Sequence, residues 1–391
     1  MVLFFDAMGV ALILPVMPDL IGELSSLPNS RAAEIAGYLL FTFAIMQFLF
    51  APILGALSDR FGRRPVLLLA LLGFSIDYFI MAAAPTLLWL FVARAISGIC
   101  GATFPAANAA IVDISAPGER ARNFGFTGGA VAIGFIFGPA FGGFVGEFGP
   151  RLPFIISGVL TMAVCLYGWF RFPETLPPEK RRRFDWRRAN PFGTLVSVSR
   201  YPLILPLLLA LFLIQFANQS YVSVWSFFTI EVAGWSPFMI GVSAGLYGLC
   251  MAIVQGGLTG PVIKRTGENR AIIFSMLAGM IAFIGLGIAE TPAEIFIWII
   301  GGSLSGFVFP AFQALMTTRI PEDSQGELQG ALASSFGLAT IIGPLMMSQI
   351  FGSFTRGEGA YLPGAPFLAA AVLVMLALLV FLLARRRLKD R

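Results

Sequence analysis

Asp6, Asp77 and Arg94 are charged residues set inside long apolar stretches of this 391-residue chain. A charge held at membrane depth is costly, so it marks a site for ions or protons, or an ion pair. Asp77 stands seven residues before the end of one apolar run and Arg94 seven after the start of the next. Two antiparallel helices would bring both to about 10 Å from the same end. Equal depth permits an ion pair if the faces meet. Burial and a neighbouring arginine act on a carboxylate's proton affinity in opposite senses, so proton occupancy becomes sensitive to conformation. Asp77 or Asp6 is the expected site of a coupling proton, with Arg94 modulating release. A static structural ion pair is the alternative for Asp77 and Arg94.

The chain contains no histidine. That removes the usual zinc sites, the Ser-His-Asp and Cys-His nucleophile arrangements, and the simplest proton switch near neutral pH. Proton chemistry has to rest on carboxylates. Cys100, Cys165 and Cys250 all fall in apolar runs without metal-ligand spacing and read as packing residues. No metal and no cofactor are implied, and with no nucleophile beside a base and no soluble domain the chain does not read as an enzyme.

Uncharged polar residues in apolar runs form a second set: Gln215, Asn218, Gln219, Ser220, Tyr221 and Trp225 in the seventh run, Gln255 in the eighth and Gln313 in the tenth. Gln47 in the second run and Asn108 in the fourth complement them. Taken singly, each is as well explained by an interhelical hydrogen bond. The cluster in the seventh run exceeds what packing needs. A cavity lined by amides and aromatics suits an amphipathic, partly aromatic solute better than an ion, so Gln47, Asn108, Gln215, Asn218, Gln219, Tyr221, Trp225, Gln255 and Gln313 are the expected substrate contacts.

The elements that must position these groups are membrane helices. With 57% hydrophobic and 12% charged residues and a mean hydropathy of +0.85, the chain has too little polar surface for a water-soluble globule. Runs of about 20 apolar residues, enough to cross about 30 Å of hydrocarbon, fall at 2–21, 33–57, 65–84, 87–112, 122–146, 152–170, 202–230, 238–263, 270–289, 293–318, 325–350 and 364–384. The first carries Asp6 and has neither a basic leader nor a cleavage site, so it is expected to be retained as a span.

Of the 26 basic residues, 22 fall on alternate loops and the C-terminal tail, the opposite loops hold only Arg31, Arg151 and Arg356, and Arg94 is intramembrane. The rich side is expected to be cytoplasmic, with both termini there. The net charge of +5 thus reflects topology, and nucleic acid is not an expected partner.

A shift of 205 residues lays the second half over the first, matching Gly55 to Gly260, Arg60 to Arg265, Gly62 to Gly267, Phe104-Pro105 to Phe309-Pro310 and Gly138-Pro139 to Gly343-Pro344. Two parallel repeats of spanning helices are an architecture of secondary transporters. The expected fold is an all-α membrane protein with twelve helices in two six-helix bundles, 1–170 and 202–391, joined by a basic linker at 171–201. In that linker Lys180, Arg181, Arg182, Arg183, Arg187 and Arg188 surround Phe184 and Trp186. The stretch serves as a topology anchor, or lies on anionic lipid headgroups at about 1 kcal/mol per basic residue.

Between the second and third runs lies Gly55-Ala-Leu-Ser-Asp59-Arg60-Phe-Gly62-Arg63-Arg64, with Asp113 ending the fourth run on the same side. Acids and arginines so placed can pair in one conformation and part in another, with Asp113 the natural partner of Arg63 or Arg64. A purely structural clamp is the alternative. Gly134, Gly138 and Gly142 recur every four residues, followed by Gly143, with Pro139 among them. Such a face lets another helix approach closely and bends locally. Packing of this Gly-Pro pair against its copy, Gly343-Pro344, would form a seam along which the halves rock.

The ten-residue turn resembles the loop signature of the major facilitator superfamily. Leu90-Phe-Val-Ala-Arg94-Ala-Ile-Ser-Gly98-Ile-Cys-Gly101 resembles the buried-arginine motif of its twelve-helix drug/proton antiporters, Gly134 to Gly143 their antiporter motif, and Asp6 to Pro15 their acid-containing first helix. With Ser75-Ile-Asp77-Tyr78, the first half looks most like the tetracycline exporters. Those proteins carry an intramembrane acid where this chain has Gly279 and a histidine where it has Met251, so tetracycline itself is in doubt as the solute. The resemblance implies a monomeric inner-membrane carrier exporting an amphipathic drug-like compound in exchange for protons. The alternative is a symporter or uniporter of a small metabolite.

Overall fold

A computed structural model describes residues 2–116, 119–182, 204–321, 325–357 and 359–389, together with the backbone but not the side chain of Asp6. Arg183, Phe184, Trp186, Arg187 and Arg188 of the linker lie outside the described residues. Among those described, every regular element is helical, and eleven helices are long and apolar enough to cross a membrane.

The first predicted run is α1 (Val2–Ile13), a 3-10 turn at Leu14–Val16, and α2 (Met17–Ser25). Pro15 and Pro18, which cannot donate to the preceding turn, account for the break. The second and third runs are α3 (Asn29–Phe61) and α4 (Arg63–Ala83). The fourth is divided into α5 (Leu87–Gly101) and α6 (Phe104–Ile114), with Pro105 in the first turn of α6. Then come α7 (Arg120–Gly146) and α8 (Leu152–Arg171).

The second copy repeats the plan. It begins with α9 (Ile204–Ala233) and α10 (Pro237–Ile253), which runs through a π-helical turn at Val254–Leu258 into α11 (Thr259–Thr266). It continues with α12 (Glu268–Gly287), α13 (Pro292–Gly302), a 3-10 turn at Ser303–Phe307, and α14 (Val308–Thr317). It ends with α15 (Gln325–Thr355) and α16 (Ala365–Lys389). The tenth run is interrupted just before Phe309-Pro310, as the fourth is just before Phe104-Pro105. Gly62 (φ 105°) and Gly267 (φ 77°) both occupy the left-handed region immediately before α4 and α12, which explains why the duplicated turn keeps glycine there.

The chain forms two compact units. One comprises residues 1–27, 39–191 and 236–245, the other 28–38, 192–235 and 246–391. Each unit therefore holds a short segment from the opposite repeat, the start of α10 in the first and the start of α3 in the second. Large apolar side chains such as Leu88, Phe126 and Phe170 are exposed, as suits surfaces solvated by lipid.

In the first unit α7 packs on α1 through its glycines. A Cβ at Gly134 or Gly138 would meet backbone atoms of Phe4 and Met8, and one at Gly142 would meet the carbonyl of Leu12. In the second, α9 packs against α15 and α16. Replacing Gly142 by valine should cost about 1–3 kcal/mol through overpacking. Gly128→Val, on the same helix where a side chain has open space, should be near neutral. Thermal unfolding in detergent will separate the two.

Candidate functional site

Asp77 on α4 and Arg94 on α5 meet as their spacing predicts: Arg94 Nη2 donates to Asp77 Oδ2 at 2.8 Å. Asp77 is 0% exposed and Arg94 7%. The same nitrogen lies 2.8 Å from Met81 Sδ, and the guanidinium sits 5.9 Å from the centre of the Phe43 ring on α3. Ser97, one turn beyond Arg94, hydrogen-bonds Asp77; a buried serine in an apolar run was the sequence signal for it. The pair is thus enclosed by α3, α4 and α5, with little access to water.

The turn between α3 and α4 is organised by Arg63, which is 8% exposed. Its Nη1 donates to Asp59 Oδ1 at 2.6 Å and to Ser58 Oγ at 3.0 Å, and its Nε to Asp113 Oδ2 at 3.3 Å. Of the two arginines expected to reach Asp113, Arg63 is the one that does. Arg64 turns away: its Nη2 donates to the carbonyl of Trp169 on α8 and its guanidinium lies 5.9 Å from the Trp169 ring. Arg60 stacks on Phe61 at 4.9 Å. Gly55 has open space around it, and no contact explains its glycine.

Glu174, just past α8, is the turn residue that motif reading missed. Its Oε1 accepts the backbone N–H of Arg63 at 2.9 Å and its Oε2 that of Arg64 at 3.3 Å. The carboxylate therefore caps the N-terminus of α4, where the helix dipole favours negative charge. It fills the space that a side chain on Gly62 would need. The Arg182 N–H, 3.0 Å from the Asp59 carbonyl, ties the start of the linker to the same turn. In the second copy Lys264 replaces Asp59, and Gly267 has only open space beside it, so among the described residues no acid fills that place.

The glycine motif of α7 uses two faces. Gly134, Gly138 and Gly142 receive α1, whereas Gly143 and Pro139 abut the backbone of Pro237 and Gly241 at the start of α10. Gly343 lies under the side chain of Gln219 on α9, and the Pro344 carbonyl abuts Gly37 on α3. Within its own unit, each Gly-Pro pair packs on a segment from the other repeat. Each proline faces a glycine of the opposite repeat. Where α7 ends, Glu147 accepts the Phe238 N–H at 3.0 Å and the Ser236 hydroxyl. These bonds hold its carboxyl below the ordinary value of 4.5.

The uncharged set is divided. Gln47 and Asn108 lie in the first unit, and the Gln47 amide donates to the Gly101 carbonyl at 3.1 Å beside the break after α5. In the second unit Asn218 is 3.5 Å from Gln215. It borders a crevice with Ser275, Gly279 and Ser305 whose free volume of about 10 Å³ suits a single water. Tyr221 stacks on Tyr247 at 4.9 Å and lies close to Phe283 and Phe367.

Trp225, 4% exposed, is packed among Phe228, Trp235 and Phe367, and Gln219, 5% exposed, fills the groove over Gly343. Gln255 is exposed on the π-helical turn and Gln313 is half-buried on α14. Met251 lies against Gly306.

Spanning helices that enclose an ion pair, present a charged turn at one end and pack through glycine define a multi-pass membrane transporter, not an enzyme. Residues 1–344 match the family described as Major Facilitator Superfamily. The chain is 38% identical to tetracycline resistance protein class C of Escherichia coli, over 89% of its own length and 87% of the relative's. To the class G protein of Vibrio anguillarum it is 35% identical, over 89% and 88%. Among solved structures, the bacterial homolog of the human lysosomal transporter Spinster superposes with a TM-score of 0.81 at 20% identity, covering 100% and 96% of the two chains. The chain belongs to the major facilitator superfamily.

Breaking a buried pair leaves an uncompensated charge. Asp77→Asn should therefore cost about 3–5 kcal/mol, and the double variant with Arg94→Gln distinctly less, as read by thermal unfolding. For Glu147 the folded-state pKa is depressed, so its contribution is present above the unfolded value of 4.5 and is lost as pH falls through the lower folded value. The difference in melting temperature between the parent and Glu147→Gln should be constant from about pH 5 to 8 and vanish in more acidic buffer.

Proposed function

We propose that this transporter exports an amphipathic drug-like compound in exchange for protons by alternating access, in the manner of tetracycline efflux. The observation that carries the reading is the ion pair of Asp77 and Arg94. It is enclosed at membrane depth in a chain 34–38% identical to six tetracycline resistance proteins. A proton arriving at Asp77 would neutralise the acid and free Arg94 to find another partner. That switch ties protonation to the packing of α4 on α5. Asp6 is the second candidate for the proton.

Asp59, Arg60, Arg63, Arg64 and Asp113, with Gly55 and Gly62, form the conformational gate, and Glu174 belongs with them. The glycine face of α7 lets that gate transmit movement to α1. Gln47, Asn108, Gln215, Asn218, Gln219, Tyr221, Trp225, Gln255 and Gln313 are the proposed solute contacts, with Tyr247 added by its stacking on Tyr221. The bundles at 1–170 and 202–391 act as the moving bodies, joined by the linker at 171–201. The protein works as a monomer in the inner membrane with both termini cytoplasmic, and its basic linker lies against anionic lipid. Gly279 and Met251 leave the solute open among amphipathic compounds, tetracycline included.

Reconstituted vesicles with an imposed pH gradient test the reading. Solute should accumulate against its gradient, driven by proton counterflow, and Asp77→Asn or Asp6→Asn should reduce this at least tenfold, or about 1.4 kcal/mol. Equilibration regardless of the gradient would point to a uniporter. Full coupling in both asparagine variants would remove the carboxylates from the mechanism.

A further inference from the structure

At the end of α3 remote from the Gly62 turn, the start of α3 packs against α15. The 205-residue repeat relates this contact to that between the start of α10 and α7. The correspondence is close in both. The Pro139 carbonyl abuts Gly241 in one, and the Pro344 carbonyl abuts Gly37 in the other. Gly143 abuts Pro237, while its counterpart Ser348 abuts Gly37. Each contact holds one carboxylate, but from opposite partners. In the first it is Glu147 on α7, whose counterpart on α15 is Gly352. In the second it is Glu34 on α3, whose counterpart on α10 is Met239.

The donors differ in kind. Glu147 is served by a hydroxyl and a backbone N–H, from Ser236 and Phe238, and is exposed. Glu34 is 6% exposed. It lies over Gly352 in space that only glycine leaves free, bonded to Arg31 Nη1 at 3.1 Å and paired with Arg356. Ser236 and Arg31 are repeat counterparts, so a neutral donor in one contact has become a cation in the other. Arg356 has a counterpart too, Arg151. That residue is committed within its own bundle, to Glu23 at 2.9 Å and the carbonyls of Ala82 and Ala84 at 2.6 and 3.0 Å. Beside the charged contact, Asn29 Nδ2 donates to Glu231 at 2.7 Å, and Tyr361 donates to the other oxygen of Glu231 at 2.7 Å.

We infer that Glu34 and Arg356 are positioning residues that lock α3 to α15, and that the α7 to α10 contact is the weaker latch of the same two-fold gate. Separating a buried, doubly paired carboxylate costs more than releasing an exposed one held by neutral donors. The charged contact therefore sets how often this end opens. The inference rests on the alternating-access reading above, because only a carrier that opens at both ends needs the contact to part.

Ser348 is fully buried within the charged contact, so its exposure reports opening without any transport measurement. Ser348→Cys, in a chain with Cys100, Cys165 and Cys250 replaced by alanine, would be labelled with a maleimide in detergent. Glu34→Gln and Arg356→Gln should each speed labelling about tenfold, the scale of one lost charge-assisted contact. Glu34→Asp should restore slow labelling, and Glu147→Gln should speed it severalfold less than Glu34→Gln.

Parent-like labelling in both Glu34→Gln and Arg356→Gln would overturn the inference, as would an effect of Glu147→Gln equal to that of Glu34→Gln. Melting curves of each variant exclude global unfolding as the cause, and Arg356→Gln, beyond the end of α15, provides the test if Glu34→Gln does not fold. If labelling behaves as expected while vesicles show no proton-driven export, the lock stands and the export reading falls.

Discussion

Helices in lipid gain nothing from hiding apolar faces from one another, because the solvent is as apolar as they are. What holds them is close van der Waals approach and the hydrogen bonds that approach allows. In this protein α7 meets that constraint most fully. Three of its glycines receive the backbone of α1, and a fourth, with Pro139, receives the start of α10. A helix with two such glycine-lined faces can serve as a common bearing, since both contacts are made largely at backbone. The charged groups are then arranged where smooth packing leaves off, at the α3–α4 turn and at the far ends of α3 and α7.

Duplication left some backbone devices in both copies, while the side chains around them diverged. The left-handed glycine before α4 and α12 persists in both copies, because another residue would strain the turn, and both copies keep a Phe-Pro pair at the start of the helix after the break. Among the described residues, the acid beside the turn, the cap on α4 and the buried pair of Asp77 and Arg94 occur in the first copy. The second copy assembles aromatic rings around Tyr221. The helix plan is repeated while the chemistry it carries is not.

Much of this was legible beforehand. Run length located the helices, since hydrocarbon thickness admits few solutions, and equal depth along antiparallel helices permitted the pair of Asp77 and Arg94, whose meeting faces the fold supplies. The facing of individual side chains was less accessible. A helix that is apolar all round carries no periodic signal of which side meets protein, so the sequence did not show that Trp225 and Gln219 are almost wholly buried. The Gly-Pro pairs were recognised as packing surfaces, but a one-dimensional match between copies suggested that like meets like. In the folded chain each proline meets a glycine of the opposite copy. Glu174 escaped notice because its role depends on how the chain turns after α8, and no spacing encodes that.

Arg64 and Trp169 carry a consequence for how the protein rides in its membrane. The indole is 61% exposed and carries the guanidinium near its face, a combination suited to the band where acyl chains give way to headgroups. Because Arg64 also donates to the Trp169 carbonyl, the pair ties the start of α4 to the end of α8, and a change in either side chain is felt on both helices.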